Sequence, residues 1–126
     1  MRVTTGVDIV EVNRIQLLIN EHKDLFLQKV FTEKEIEYCK NAKAHIYESF
    51  AVRFAAKEAV FKALNVEINN NYIDWKYIEI LNEETGRPIV DLKDKLAAYK
   101  KDIENIDISL SHEKEMAIAS VSILWK

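Results

Sequence analysis

Glycine, proline and cysteine are all scarce in this chain: two, one and one in 126 residues. With two glycines neither GxGxxG nor a Walker A loop can be written, so any phosphate must be held by side chains and a metal. The single Cys39 cannot form an internal disulfide, which fits a reducing compartment, and a cytoplasmic location is expected. No apolar run reaches the ~18 residues that span a bilayer. Asp8 and Glu11 interrupt the early apolar stretch, so a signal peptide is not expected. Basic excess is also missing: Lys+Arg 18 stand against Asp+Glu 21, net −3. Neither nucleic acid nor a membrane is therefore an expected partner. Without repeats, low-complexity tracts or a Pro/Ser linker, one domain over residues 1–126 is expected. Such a chain buries roughly two-thirds of its unfolded surface.

The periodicities predict an order of strand, helices, then strands. Residues 3–11 alternate: Val3, Thr5, Val7 and Ile9 point one way, and Thr4, Gly6, Asp8 and Val10 the other. Asn13 is the expected cap of a helix over 14–19, followed by a second over 23–30. Thr32 and Glu35 form a capping box that opens a helix to Cys39. A long helix is predicted over 45–64, a loop over 66–74, and a strand over 75–81. Gly86 and Pro88 then turn the chain into a short strand at 89–90. A helix over 93–101 and a hairpin of 106–111 with 116–124 complete the pattern. The expected class is α+β, a mainly antiparallel sheet packed on one long central helix.

The residues 50–64, FAVRFAAKEAVFKAL, are apolar around nearly the whole helical circumference, the mark of a buried helix. Yet the stretch carries Arg53, Lys57, Glu58 and Lys62. Buried charge is costly unless paired or bound. Arg53 and Lys57 are like charges at i,i+4, better suited to an anion than to each other. Glu58 and Lys62 are in the favourable order for a helix ion pair. Two readings stay open: charges that snorkel to the surface with one local salt bridge, or cations and a carboxylate converging on a metal-phosphate unit.

Asp8 is the second oddity, a carboxylate in the apolar GVDIVEV run on the same face as Gly6. It either makes a local turn or serves as a metal carboxylate beside Glu58. Two carboxylates with phosphate oxygens and water suit Mg²⁺. The third is Ser109-Leu110-Ser111-His112, closing a strand. His22 and His45 read as surface residues, and Cys39 as inert.

Six segments in this order resemble the holo-acyl-carrier-protein synthases, the short class of 4′-phosphopantetheinyl transferases. They are GVDIVEVNRI at 6–15, VFTEKEIEYC at 30–39, ESFAVRFAAKEAVFKAL at 48–64, W-x-x-I-E-I at 75–80, TGRPIV at 85–90 and ISLSHEKEMAIASV at 108–121. The resemblance implies transfer of the phosphopantetheine arm of coenzyme A to a serine of apo-acyl carrier protein, releasing 3′,5′-ADP. It implies Mg²⁺ on Asp8 and Glu58, with the serine proton leaving through Glu58, directly or by a metal-bound water. Lys62 matches the lysine at the leaving phosphate. Arg53 and His112 match coenzyme A phosphate contacts, and Arg87, Pro88 and Ser111 lie in the same motifs. Arg14 matches a contact to the acidic carrier. For Lys57 the resemblance leaves open whether it meets ligand or protein. A homotrimer with shared active sites is implied too. The family's Gly-rich turn after K-A-L is replaced by Asn65, Val66 and Glu67, and its Thr after the histidine by Glu113. A non-catalytic carrier- or nucleotide-binding module on the same fold is the alternative.

Overall fold

Strand β1 (Arg2–Glu11) buries one of its two faces. The alternation decides which: Gly6 and Val10 point inward, while Val3, Val7 and Ile9 stay 61%, 54% and 60% exposed. The computed structural model describes residues 1–66 and 73–126. The chain passes from β1 straight into α1 (Val12–His22). The expected Asn13 cap is therefore corrected: the helix starts at Val12, Glu11 occupies the cap position, and no side chain caps it. The orphan Val12 N–H instead donates to the Glu115 carbonyl across the sheet at 2.8 Å. Lys23, at φ 47, breaks α1 from α2 (Asp24–Val30). The capping box at Thr32 and Glu35 forms as expected and opens α3 (Glu33–Lys40).

α4 (Ile46–Leu64) is the expected long buried helix. It lies across the inner face of a three-stranded antiparallel sheet of order β1-β5-β4. β4 (Ile103–His112) and β5 (Met116–Trp125) form the expected hairpin, longer than the alternation alone indicated. A separate antiparallel hairpin, β2 (Ile78–Asn82) with β3 (Pro88–Leu92), packs beside β4. Two boundaries differ from expectation. Residues 75–77 form a 3-10 turn because Asp74 accepts from the Lys76 N–H, so β2 starts at Ile78. The helix expected over 93–101 is a 3-10 helix, Asp94–Asp102. Of the loop expected over 66–74, residues 67–72 lie outside the described residues.

α4 ends on Asn65 in the left-handed region at φ 58. Asn tolerates that conformation better than other non-glycine residues. Val66 N–H closes the turn on the Phe61 carbonyl at 3.0 Å.

Small side chains let α4 sit close on the sheet: Ala55, Ala59 and Ala63 on the helix and Ala117 and Ala119 on β5 are all within 2% of fully buried. Gly6 is the tightest point. A Cβ there would collide with the Ala59 carbonyl oxygen and lie 3.1 Å from the Ala63 nitrogen. Both obstacles are helix backbone, which cannot step aside. Gly6→Ala is expected to cost about 3 kcal/mol in urea denaturation, the upper end of overpacking. A loss under about 1 kcal/mol would show that strand and helix separate freely.

Candidate active site

α4 distributes its charged side chains to different partners. Glu58 and Lys62 sit one turn apart on the face toward β1. Lys62 Nζ donates to Asp8 Oδ1 at 3.2 Å and to the Val7 carbonyl at 2.9 Å. The expected Glu58–Lys62 ion pair is corrected: among the described residues none joins them within 4.0 Å. The lysine goes to β1 because Gly6 brings that strand against the helix. Glu58 is half-buried. Burial first, and then the Asp8 carboxylate, raise its pKa above the usual carboxylate range, while Lys62 and the exposed Arg14 pull it back. Asp8, Lys62 and Arg14 therefore act on Glu58 in one electrostatic neighbourhood.

A carboxylate whose ionisation a neighbouring aspartate disfavours, with a lysine laid on that aspartate, fits a divalent cation as a third party. Among the described residues no set of three or more His, Cys, Asp or Glu converges. That suits Mg²⁺, which takes one or two carboxylates and completes its shell with phosphate and water.

Arg53 lies about 140° around the helix from Glu58 and faces the other way. It is 3% exposed. Its guanidinium stacks 4.2 Å from the Tyr38 ring centroid and donates to Asn82 Oδ1 at 2.6 Å. It lines a groove of about 320 Å³ together with Tyr38, Asn82, Pro88, Ser109 and His112. On its far side His112 Nδ1 lies 4.0 Å from Glu48 Oε2, an oxygen that also holds His45 Nδ1 at 2.7 Å. His45 is a surface residue, as expected, but a tethered one.

Of the two readings open for α4, snorkelling fails for Arg53 and Lys57, which are both buried. Their sharing of one anion fails as well. Lys57 is fully buried and saturated: Glu35 Oε1 at 2.7 Å, the Ile78 carbonyl at 2.7 Å and the Trp75 carbonyl at 3.2 Å. Burial lowers its pKa, and Glu35 and Glu79 oppose that. Lys57 thus meets protein.

Two further expected residues sit apart. Arg87 is exposed and bound to Asp107 at 2.6 Å, which raises the one pKa and lowers the other. Ser111 is exposed near the end of β4, and the serine that lines the groove is Ser109, two residues back. Cys39 is buried, and burial raises its pKa, as an inert thiol requires.

The expected site residues therefore form two half-sites rather than one. Asp8 on β1 and His112 on β4 are separated by β5, and Glu58 and Arg53 are on opposite faces of α4. Residues that sequence reasoning missed are Tyr38 and Asn82, while Ser109 was singled out only as part of the SLSH segment. Tyr38 lay within VFTEKEIEYC, and Asn82 only near TGRP.

A family model described as the 4′-phosphopantetheinyl transferase superfamily matches residues 4–120. The chain belongs to the 4′-phosphopantetheinyl transferase superfamily. It is 43% identical over 118 residues to a holo-[acyl-carrier-protein] synthase of Chloroherpeton thalassium, covering 94% of each chain. It is 45% identical over 121 residues to that of Chlorobium phaeovibrioides, covering 96% of this chain and 94% of the relative. Among solved structures, the Helicobacter pylori holo-[acyl-carrier-protein] synthase in complex with coenzyme A superposes with a TM-score of 0.83 at 32% identity, covering 95% and 99% of the two chains. The Bacillus anthracis synthase in complex with coenzyme A (3′,5′-ADP) gives 0.78 at 32% identity, covering 95% and 94%. The phosphopantetheinyl transferase fold here is thus the α+β sheet-on-helix arrangement described above.

Proposed function

We propose that this phosphopantetheinyl transferase is a Mg²⁺-dependent holo-acyl-carrier-protein synthase. It moves the phosphopantetheine arm of coenzyme A to a serine of apo-acyl carrier protein and releases 3′,5′-ADP. The observation that carries the reading is the Asp8–Glu58 carboxylate pair with Lys62 across it. Coenzyme A bound to the Helicobacter pylori and Bacillus anthracis relatives supports the substrate.

Asp8 and Glu58 would hold the metal, which when bound neutralises diphosphate charge. In the reaction the serine oxygen bonds to the phosphorus next to pantetheine, and the bond from that phosphorus to the 3′,5′-ADP oxygen breaks. Glu58 takes the serine proton. Lys62 neutralises or protonates the departing phosphate. Arg53 and His112 hold the anionic coenzyme A from the groove. Positioning and charge neutralisation supply most of the catalysis in such a transfer.

The two half-sites face apart on one chain, so we assign the complete site to neighbouring copies in a homotrimer, the assembly that the family resemblance implies. The exposed outer face of β1, with Val3, Val7 and Ile9 beside Ile118 on β5, supplies the apolar surface for association. The acidic carrier meets Arg14, with the exposed Leu17 and Leu25 and the nearby Lys23 and Lys29. A local patch is needed because the net charge of −3 would repel an acidic partner.

Incubation with coenzyme A, Mg²⁺ and apo-carrier is expected to add the mass of phosphopantetheine to the carrier. Binding of both ligands with an unmodified carrier would favour the non-catalytic module. Asp8→Asn and Arg53→Ala chains, each impaired alone at limiting coenzyme A, are expected to regain activity when mixed and reassembled. No regain in mixed trimers would refute the shared site.

A further inference from the structure

Arg53 carries a permanent positive charge, and a cation so deeply buried is ordinarily matched by a carboxylate. Here none lies within 4.0 Å among the described residues. Every acceptor of its hydrogen bonds is neutral: Asn82 Oδ1 at 2.6 Å, Ser49 Oγ at 3.1 Å and the Ser49 carbonyl at 3.4 Å. Its Nε is buried without any partner. The contrast with Lys57 one turn later is sharp, since that lysine has a carboxylate at 2.7 Å.

Asn82 is the shortest of these contacts. It ends β2 opposite Pro88, and its Nδ2 donates to the Gly86 carbonyl at 2.9 Å. With Nδ2 directed at the turn, Oδ1 faces the guanidinium. The amide thus ties α4 to the β2–β3 turn, two of the walls of the groove, without spending the charge of Arg53.

We propose that Asn82 is a positioning residue: it aims Arg53 into the groove through a neutral oxygen, so that the uncompensated charge selects an anionic group there. This rests on the reading that the groove takes the phosphates of coenzyme A. A carboxylate at this position would hold the arginine as firmly and cancel its charge.

The test measures coenzyme A binding by calorimetry, with melting temperatures, for Arg53→Ala, Asn82→Asp, Asn82→Ala and the double variant R53A/N82D. Arg53→Ala is expected to weaken binding tenfold or more. Asn82→Asp is expected to do the same while melting within about 3 °C of the unsubstituted protein. It should raise KM for coenzyme A by more than it lowers kcat. Asn82→Ala should weaken binding less than Asn82→Asp, because the charge of Arg53 survives. In the R53A background, Asn82→Asp should add less than a twofold loss, because its effect runs through the arginine. Weakening by Arg53→Ala with undiminished binding by Asn82→Asp would overturn the proposal. A further tenfold loss in the R53A background would overturn it too, since the carboxylate would then be repelling the ligand directly. Unchanged binding by Arg53→Ala would instead overturn the reading of the groove, and the role of Asn82 with it.

Discussion

Glu58→Gln is expected to lower phosphopantetheine transfer by about three orders of magnitude, the usual effect of removing a group that handles charge in the transition state. The same substitution is expected to stabilise the unliganded protein at neutral pH. Burial and Asp8 raise the folded pKa of Glu58 above its ordinary value of 4.5. A group shifted in that direction contributes stability below its unfolded pKa and loses it as pH rises through the folded one. At pH 7.5 the ionised side chain therefore weakens the fold, and the glutamine removes that burden. Thermal melts should show the variant above the unsubstituted protein at pH 7.5 and level with it near pH 4. Added Mg²⁺ should raise the melting temperature of the unsubstituted protein and leave that of Glu58→Gln in place. Activity retained within tenfold, or a melting difference that ignores pH, would remove Glu58 from the centre of the site.

Lys57→Met is expected to have the largest effect on stability, about 3–5 kcal/mol, or about 10–20 °C in Tm for a chain of this size. Lys57 and Glu35 are 0% and 1% exposed. Glu35 also accepts from the Thr32 N–H and the Ile80 N–H, both at 2.8 Å, so the pair joins α3, α4 and β2. Removing the lysine alone leaves a carboxylate buried with no counter-charge. The double variant K57M/E35Q removes the stranded charge but keeps an acceptor for only one of those amides, which donate to different oxygens, so it should recover part of the loss. If Lys57→Met costs under about 1 kcal/mol, or the double variant is no better than the single, the pair is not what joins these elements. Such pairs are often replaceable as a pair while intolerant of losing one member.

The two residues show where sequence reading succeeds and where it stops. Glu35 was legible only as half of a capping box with Thr32, which is a local motif and is present. Its second role, as the partner of Lys57 across 22 residues of chain, had no local signal. Asp8 was legible because Gly6 lay two residues away on the same strand face. Asn82 was not, because its partner Arg53 is 29 residues distant and an asparagine before a turn has an ordinary explanation. The half-sites divide similarly: motif order put Asp8, Glu58, Arg53 and His112 in one list, and nothing in that order separated two faces of a helix.

What the sequence by itself determined is therefore whatever depends on short-range repetition. This covers the inward face of β1, the capping box, the all-round apolar α4 and the terminal hairpin, since side-chain direction repeats every two residues in a strand and every 3.6 in a helix. The tertiary structure alone decided the fate of the four charges within residues 50–64 of α4. The strand drawn close by Gly6 took Lys62, the buried cap of α3 took Lys57, and Glu58 was left beside Asp8 with its proton held more tightly. Arg53 was left with neutral partners at the edge of a groove. The charge of a buried group is set by what packs on its face of the helix, and that is chosen by segments far away in the chain.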